Sequence, residues 1–327
     1  MKVLLCIREN YITDLAGDSV QMLTIAKFLR DTGLEVHINC GSIVDYSPYD
    51  IIHLFNLTRI SETYKYYKNA KYQKKPIVIT PIYWNLEKFY LTKGNIEQRV
   101  MWERYKIFRN EILNGCKMIY PSSMAEMEML KNEFGDNLPF TIVYNCLDKS
   151  IFNNKDNIIN DEMEQFVFCS ARVCPRKNQL TLSKICNEIG VKLLLSGNSY
   201  NELYLKECLK HKNVSYTGHI LSNELKSIYQ SAKLHILCSF VETPGLSNLE
   251  AAACGCNIIS TSEGSSKEYF GDYAIYCNPY CEADIYKAIL QGLSFNSQPH
   301  LQDHVLENFS MEICLPKLYE SYMSIVG

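Results

Sequence analysis

Short apolar runs, each too short for a helix, alternate along this chain with longer stretches whose apolar residues fall three or four apart. Val3-Leu4-Leu5-Cys6-Ile7 has no polar break, the pattern of a parallel strand covered on both faces. A polar loop, 8–17, follows. Met22, Ile25, Ala26 and Leu29 then share one helical face. Asp18 with Gln21 three positions on predicts a capping box at the start of that helix, and Gly33 predicts its end. Residues 36–40 form the next strand, so the chain opens with a βαβ unit. Further strands are predicted at 51–55, 77–80, 118–120 and 141–144. Residues 153–164 are polar without a clear period and read as a linker. The pattern then restarts, with strands at 166–169, 191–195, 214–216, 234–237 and 257–259. The segment 311–326 reads as a helix with Ile313, Leu315, Leu318, Tyr322 and Ile325 inward, kinked or begun by Pro316. These elements predict an α/β protein of two doubly wound halves facing across a cleft. Ligands in such sheets sit at the carboxyl ends of the strands.

Composition agrees and narrows the classes. At about 150 residues per domain, 327 residues suggest two domains. With 47% hydrophobic and 21% charged residues, the chain is an ordinary globular one and not a disordered one. Its net charge of −3 argues against a nucleic-acid-coating protein. The 14 cysteines are irregularly spaced with no CxxC pair, and Cys254 and Cys256 stand too close for a zinc knuckle. No metal site is predicted. The run 3–7 is too short for a secretory leader, and nothing approaches the ~20 apolar residues of a membrane span. The expectation is a cytoplasmic protein with reduced thiols.

Two segments carry chemistry. Glu242-Thr243-Pro244-Gly245-Leu246-Ser247-Asn248-Leu249-Glu250 puts two carboxylates around a Pro-Gly turn that opens a helix, followed by Ala251-Ala252-Ala253-Cys254-Gly255. Gly245 lets a ligand approach the backbone. The first turn offers free N–H groups and the positive end of a helix dipole to phosphate or sugar oxygens. Glu242 reads either as an acceptor for hydroxyls or as a solvated loop acid. Glu250 reads either as a ligand group or, with Ser247, as a capping box. Arg172 and Lys177 follow directly on the strand 166–169. They offer a guanidinium fork and a compact ammonium to phosphate oxygens, or else form a basic surface loop.

Together these features resemble glycosyltransferase family 4, with the GT-B fold. The resemblance runs from Ala16-Gly17-Asp18-Ser19 through Val143-Tyr144-Asn145-Cys146-Leu147-Asp148, where the family has V-P-N-G-V-D. It continues with Arg172 and Lys177, Gly197, Tyr216-Thr217-Gly218 and the Glu242 to Glu250 pair. Ser262-Glu263-Gly264-Ser265-Ser266-Lys267-Glu268 then stands at the S-x-x-G-G-x-x-E segment. The resemblance implies an N-terminal Rossmann-like acceptor domain, 1–155, and a donor domain, 156–309. It also implies a C-terminal helix, 310–327, that crosses back to the first domain.

It further implies a hexosyltransferase-type enzyme that takes a sugar from a UDP-, GDP- or ADP-linked donor to a glycan or lipid-linked acceptor. Bacterial surface polysaccharide synthesis is the usual setting. Arg172 and Lys177 would hold the diphosphate and Glu242 the sugar hydroxyls, these three being the catalytic set. Gly17, Gly245, Leu246, Ser247 and Glu250 would bind the donor, Glu250 through the ribose. The family retains anomeric configuration, and the lack of any D-x-D triplet agrees with metal independence and with no cofactor beyond the donor. The chain departs from the family at Ile82, where many members have a His that touches the donor sugar. That departure keeps open a degenerate, sugar-nucleotide-binding protein. A nicotinamide enzyme would need a G-x-G-x-x-G after the first strand, where only Gly17 is present.

Residues 59–117 hold 13 Lys or Arg against 5 Asp or Glu, a net of +8, interleaved with aromatics such as Tyr66, Tyr67, Tyr83, Trp84 and Trp102. The reading is a peripheral contact with the inner face of the plasma membrane, or else a solvated basic face. Tyr83 or Trp84 could stack on a sugar, or sit in the core.

Overall fold

The structure is a computed structural model that describes residues 1–152, 166–220, 222–295 and 299–327. The expected linker, 153–164, lies outside the described residues. In chain order the elements begin β1 (Lys2–Cys6), α1 (Gly17–Asp31), β2 (Glu35–Asn39), β3 (Ile51–Phe55), α2 (Ile60–Tyr72) and β4 (Ile77–Thr80). Next come α3 (Glu87–Thr92), α4 (Ile96–Arg104), α5 (Lys106–Gly115), β5 (Met118–Ile119), α6 (Met124–Phe134) and α7 (Lys149–Phe152). The pattern resumes with β6 (Phe166–Ser170), α8 (Gln179–Ile189), β7 (Lys192–Ser196), α9 (Glu202–Cys208), β8 (Val214–Tyr216), α10 (Ser222–Ser231) and β9 (Leu234–Leu237). It ends with α11 (Leu246–Ala253), β10 (Ile258–Thr261), α12 (Ser266–Phe270), β11 (Ile275–Cys277), α13 (Glu282–Ser294), α14 (Pro299–Asn308), α15 (Met311–Cys314) and α16 (Pro316–Val326). The chain divides into two compact units, Met1–Cys146 with Met311–Gly327, and Leu147–Ser310. Against the expected boundary at 155, residues 147–152 pack with the second unit, where the Leu147 N–H donates to the Phe309 carbonyl.

The first unit is a parallel sheet in the order β2-β1-β3-β4-β5. Every residue of β3 and β4 is buried, as strands covered on both faces must be. Residues 141–144 do not form a strand. Phe140 makes a single bridge to Ile119, because β5 is only two residues long and Pro121 offers no N–H to extend the ladder. The predicted capping box is also absent. Ala16 caps α1 without a side-chain bond, and Asp18 lies inside the first turn. Its carboxylate is taken by Arg8 Nε at 3.0 Å and Nη2 at 3.1 Å and by Asn56 Nδ2 at 3.2 Å. Arg8 is 2% exposed, and a guanidinium so buried needs an anionic partner.

Pro316 takes the first position of α16 and separates it from α15. Leu315, Leu318 and Tyr322 are buried, whereas Ile313 is exposed. The Tyr322 hydroxyl hydrogen-bonds His53 Nδ1, and Tyr120 bonds Ser321 at 2.8 Å, so the C-terminal residues are held by the first sheet.

Much of the aromatic content of 59–117 belongs to the core. Tyr66, Tyr67, Tyr83 and Trp102 are buried. Tyr83 stacks on Trp102 and donates to Glu133 at 2.7 Å, so it is a core residue and not a sugar platform. Arg109, 1% exposed, lies over the Trp102 ring and donates to the Leu57 and Trp102 carbonyls. On and beside α3 and α4, Lys88, Lys93 and Arg104 with Leu91, Ile96, Val100 and Ile107 are exposed, as are Glu97 and Glu103, and Lys65, Lys68, Lys71, Tyr72 and Lys74 are exposed on and after α2.

The second unit is a parallel sheet in the order β11-β10-β9-β6-β7-β8. Its edge strand β11 was not legible in the sequence, since two of its three residues are only half-buried. All 14 cysteines are free thiols and most are buried. Among the described residues no helix is long and apolar enough to cross a membrane.

Candidate functional site

The strand order of the second sheet reverses between β6 and β9. Connections leave these two neighbours in opposite directions, and ligands of such sheets bind outside the carboxyl ends of the strands at a reversal of this kind. Those two loops carry Arg172 with Lys177, and Glu242 with Gly245. Seven of the eight predicted site residues therefore lie in the second unit. Gly17 lies in the first, in the opening turn of α1.

The loop after β6 turns through a 3-10 segment, Pro175–Lys177, and Asn178 follows in left-handed backbone with φ +61°. Asn178 anchors that turn by donating to the Pro279 carbonyl at 3.1 Å. Gln179 holds the Arg172 carbonyl at 2.9 Å, and the Arg172 guanidinium lies 5.7 Å from the Tyr200 ring centre. Arg176 ties the two loops together. Its carbonyl accepts from the Phe240 N–H at 2.9 Å, and its guanidinium donates to the Val241 carbonyl at 3.1 Å.

At the centre is an ion pair between Lys177 Nζ and Glu242 Oε1. Ser239 donates to the same carboxylate oxygen at 2.6 Å. Glu242 is 6% exposed. Burial pushes its carboxyl up, but Lys177 and Arg176, with the Ser239 bond, outweigh that and hold it below the usual carboxylate range. It is not a solvated loop acid. Gly264 supports it from the β10 side. A Cβ there would stand 1.9 Å from the Glu242 carbonyl oxygen, and its φ is +128°, so only glycine fits.

Gly245 caps α11 with φ +93°, and a Cβ there would meet Leu237 at 2.6 Å. Leu246 and Ser247 open the helix and are half-buried. The alternative reading of Ser247 and Glu250 as a capping box fails, because Gly245 is the N-cap of α11 and Ser247 lies inside the helix. Glu250 instead accepts from the Tyr229 hydroxyl at 3.0 Å. Burial raises its carboxyl to about 7, against the opposing effect of that hydrogen bond. The arrangement presents cations and helix N–H groups for an anion, and two carboxylates for hydroxyls. Arg176, Ser239 and Tyr229 were not singled out from sequence. Ser239, directly after an apolar strand, carried a faint signal, and Tyr229 carried none.

Comparison with known proteins bears on this unit first. Residues 150–302 match the family model for glycosyl transferases group 1. O-antigen chain mannosyltransferase B of Escherichia coli is 27% identical over 113 residues, which spans 33% of this chain and 30% of that relative. Over the whole chain the fold is that of GT-B glycosyltransferases. Sucrose-phosphate synthase from Thermosynechococcus elongatus superposes with a TM-score of 0.82 at 16% identity, covering 99% of both chains. Anabaena HepE, solved in complex with UDP and glucose, superposes with a TM-score of 0.74 at 15% identity, covering 99% of this chain and all of that one. Together these findings support a glycosyltransferase.

Proposed function

We propose that the protein is a retaining, nucleotide-sugar-dependent glycosyltransferase of family 4. The observation that carries this reading is the Lys177–Glu242 pair, set with Arg172 and the α11 N-terminus where the strand order of the second sheet reverses. Arg172 and Lys177 hold the donor diphosphate, and Glu242 takes the hydroxyls of the transferred sugar. The N–H groups of Leu246 and Ser247, freed by the turn at Gly245, face sugar and phosphate oxygens. Glu250 takes the ribose hydroxyls.

The step breaks the bond between the anomeric carbon and the phosphate oxygen, and the electron pair leaves with the nucleoside diphosphate. The acceptor hydroxyl oxygen bonds that carbon on the same face, and its proton goes to the departing phosphate. Charge develops on the diphosphate, where preorganised cations and dipoles stabilise it most. No cofactor or metal takes part in this scheme. The acceptor is a glycan or a lipid-linked sugar of bacterial surface polysaccharide synthesis, and the protein works at the cytoplasmic face of the membrane. Support for a surface contact comes from exposed Leu91, Ile96, Val100 and Ile107 beside Lys88, Lys93 and Arg104, a pairing suited to anionic headgroups. Sedimentation with vesicles containing phosphatidylglycerol, but not with phosphatidylcholine alone, checks it.

The central test is a thermal-shift panel of UDP, GDP, ADP, CMP and their sugars, followed by turnover with the matching donor. A ligand at 100 times its Kd stabilises by about 2.7 kcal/mol, and the shift should vanish in Lys177→Ala. No shift with any nucleotide sinks the donor-site reading. A second reading, a non-catalytic sugar-nucleotide-binding protein, is favoured by Ile82. This β-branched residue has φ +45° where the resembled family has His. Under that reading the nucleotide binds and no sugar is transferred.

A further inference from the structure

Beneath the site of the second unit runs an unbroken line of buried hydrogen bonds, all pointing one way. The Ser170 N–H donates to His235 Nε2 at 3.2 Å. A backbone amide can only donate, so Nε2 accepts and Nδ1 carries the proton. Nδ1 lies 2.8 Å from Asn248 Oδ1, and Asn248 Nδ2 donates to Ser260 Oγ at 3.0 Å. Ser260 donates to Ser266 Oγ at 2.8 Å, and Ser266 donates to the Pro244 carbonyl at 2.9 Å. His235, Asn248, Ser260 and Ser266 are each 0% exposed.

The two ends of this line decide what it does. Ser170 is the last residue of β6, where the loop with Arg172 and Lys177 begins. Pro244 lies in the turn between Glu242 and Gly245. Between them the line crosses β9, α11, β10 and α12. His235 also packs edge-on to Tyr229, 5.3 Å between ring centres, and Tyr229 donates to Glu250. One imidazole thus bears on both loops and on the third site residue.

We propose that His235, Asn248, Ser260 and Ser266 act as positioning residues that set the spacing between the cationic loop and the Glu242–Gly245 turn. A chain with every member satisfied is rigid, and loss of one member leaves its neighbours buried without partners. All four are fully buried, so they act through the loops they hold. His235 is neutral, pushed down to about 4 by burial, which suits a residue that accepts at one nitrogen and donates at the other.

What the loops bind rests on the proposed function, but the relay is tested without nucleotide. Amide hydrogen exchange is followed in peptides covering 171–178 and 238–246, with peptides of the first unit as reference. Ser266→Ala should speed exchange in both loops at least tenfold and leave the reference unchanged, while Ser266→Thr, which keeps the hydroxyl, should stay near wild type. His235→Phe keeps the ring packing against Phe168 and Tyr229 and should repeat the result, which covers the case that Ser266→Ala folds poorly. Adding Ser260→Ala to Ser266→Ala should change little, because the line is already cut. Unchanged exchange, or an increase spread over both units, overturns the relay. UDP affinity of the wild type judges the donor site separately. If UDP binds, Ser266→Ala should lower turnover tenfold or more with the acceptor KM unchanged, and Ser266→Thr should restore it. Equal turnover in all three would also overturn the relay while leaving the donor site standing.

Discussion

Each sheet buries one histidine in the middle of a strand, His53 in β3 and His235 in β9, and both are 0% exposed. Burial pushes both well below the ordinary imidazole value, to about 3 and about 4. Their partners differ. His53 bonds Thr80 Oγ1 on the neighbouring strand at 2.8 Å and the Tyr322 hydroxyl on α16. It joins secondary-structure elements of the first unit to one another. His235 bonds Ser170 and Asn248 and so reaches the loops that carry Lys177 and Glu242. The same residue in the same setting holds the fold in one unit and the site in the other. What decides is whether its partners lead to packed elements or to the loops at a reversal of strand order.

The largest expected effect lies on the site side of that contrast. Lys177→Ala should lower transfer activity by about 10²–10³-fold, as loss of one preorganised charge-stabilising group commonly does. It also strands Glu242 as a buried charge, so the melting temperature should fall as well. Full activity in this variant would remove the second unit's claim to the chemistry. Next comes Gly264→Ala. With φ +128° and a Cβ 1.9 Å from the Glu242 carbonyl, it should cost about 2–3 kcal/mol in denaturant unfolding and abolish nucleotide binding. Gly33→Ala, at φ +86° with no atom within 4 Å of the new Cβ, should cost about 1 kcal/mol and leave binding intact. Equal effects of the two would erase the distinction between site and fold glycines.

Glu250 sharpens the comparison through pH. Its carboxyl sits at about 7, above its ordinary value of 4.5, so the folded chain holds a proton that the unfolded chain has released between those values. Stability should therefore fall as pH rises from about 4.5 to about 7. His53 and His235 act in the opposite sense, since their folded values are depressed and they lose stability as pH falls below about 6.5. The difference between wild type and Glu250→Gln isolates the carboxylate, and melting curves across pH 4.5–7.5 that run parallel would contradict its burial. The smallest effect belongs to the first unit. Tyr322→Phe removes one buried hydrogen bond to His53 and should cost about 1 kcal/mol, a shift of about 2–4 °C for a unit of this size. Nucleotide affinity should not change, and a loss of affinity would mean that His53 serves the site after all.

Most strands were legible because covered parallel strands are unbroken apolar runs, and 3–7, 51–55 and 77–80 are of that kind. The misfit at 141–144 has the same apolar character. It fails because β5 is too short to carry a ladder past Pro121, and the length of a neighbouring strand is not a local property. The segments with Arg172 and Lys177 and with Glu242, Gly245 and Glu250 stood out by residue type and spacing around a turn, whereas the donor-binding roles given to them, and to Leu246 and Ser247, came from the family resemblance. The partners of those residues were not legible. Asp18 looked like a cap and proved to be the counterion of a buried Arg8. Glu250 read either as a ligand group or as a cap, and it bonds Tyr229, 21 residues away.

By itself, then, the chain's order of apolar runs and turn residues determined two parallel α/β sheets and the set of side chains that could meet an anion or a hydroxyl. Periodicity and turn chemistry are local, acting within one element and its flanks. Only the tertiary structure decided that Lys177 pairs with Glu242, that Tyr83 is core, and that four buried polar side chains join two loops. Those pairings depend on strand order and on burial. Desolvation forces each buried polar group to find whichever partner the fold brings within reach.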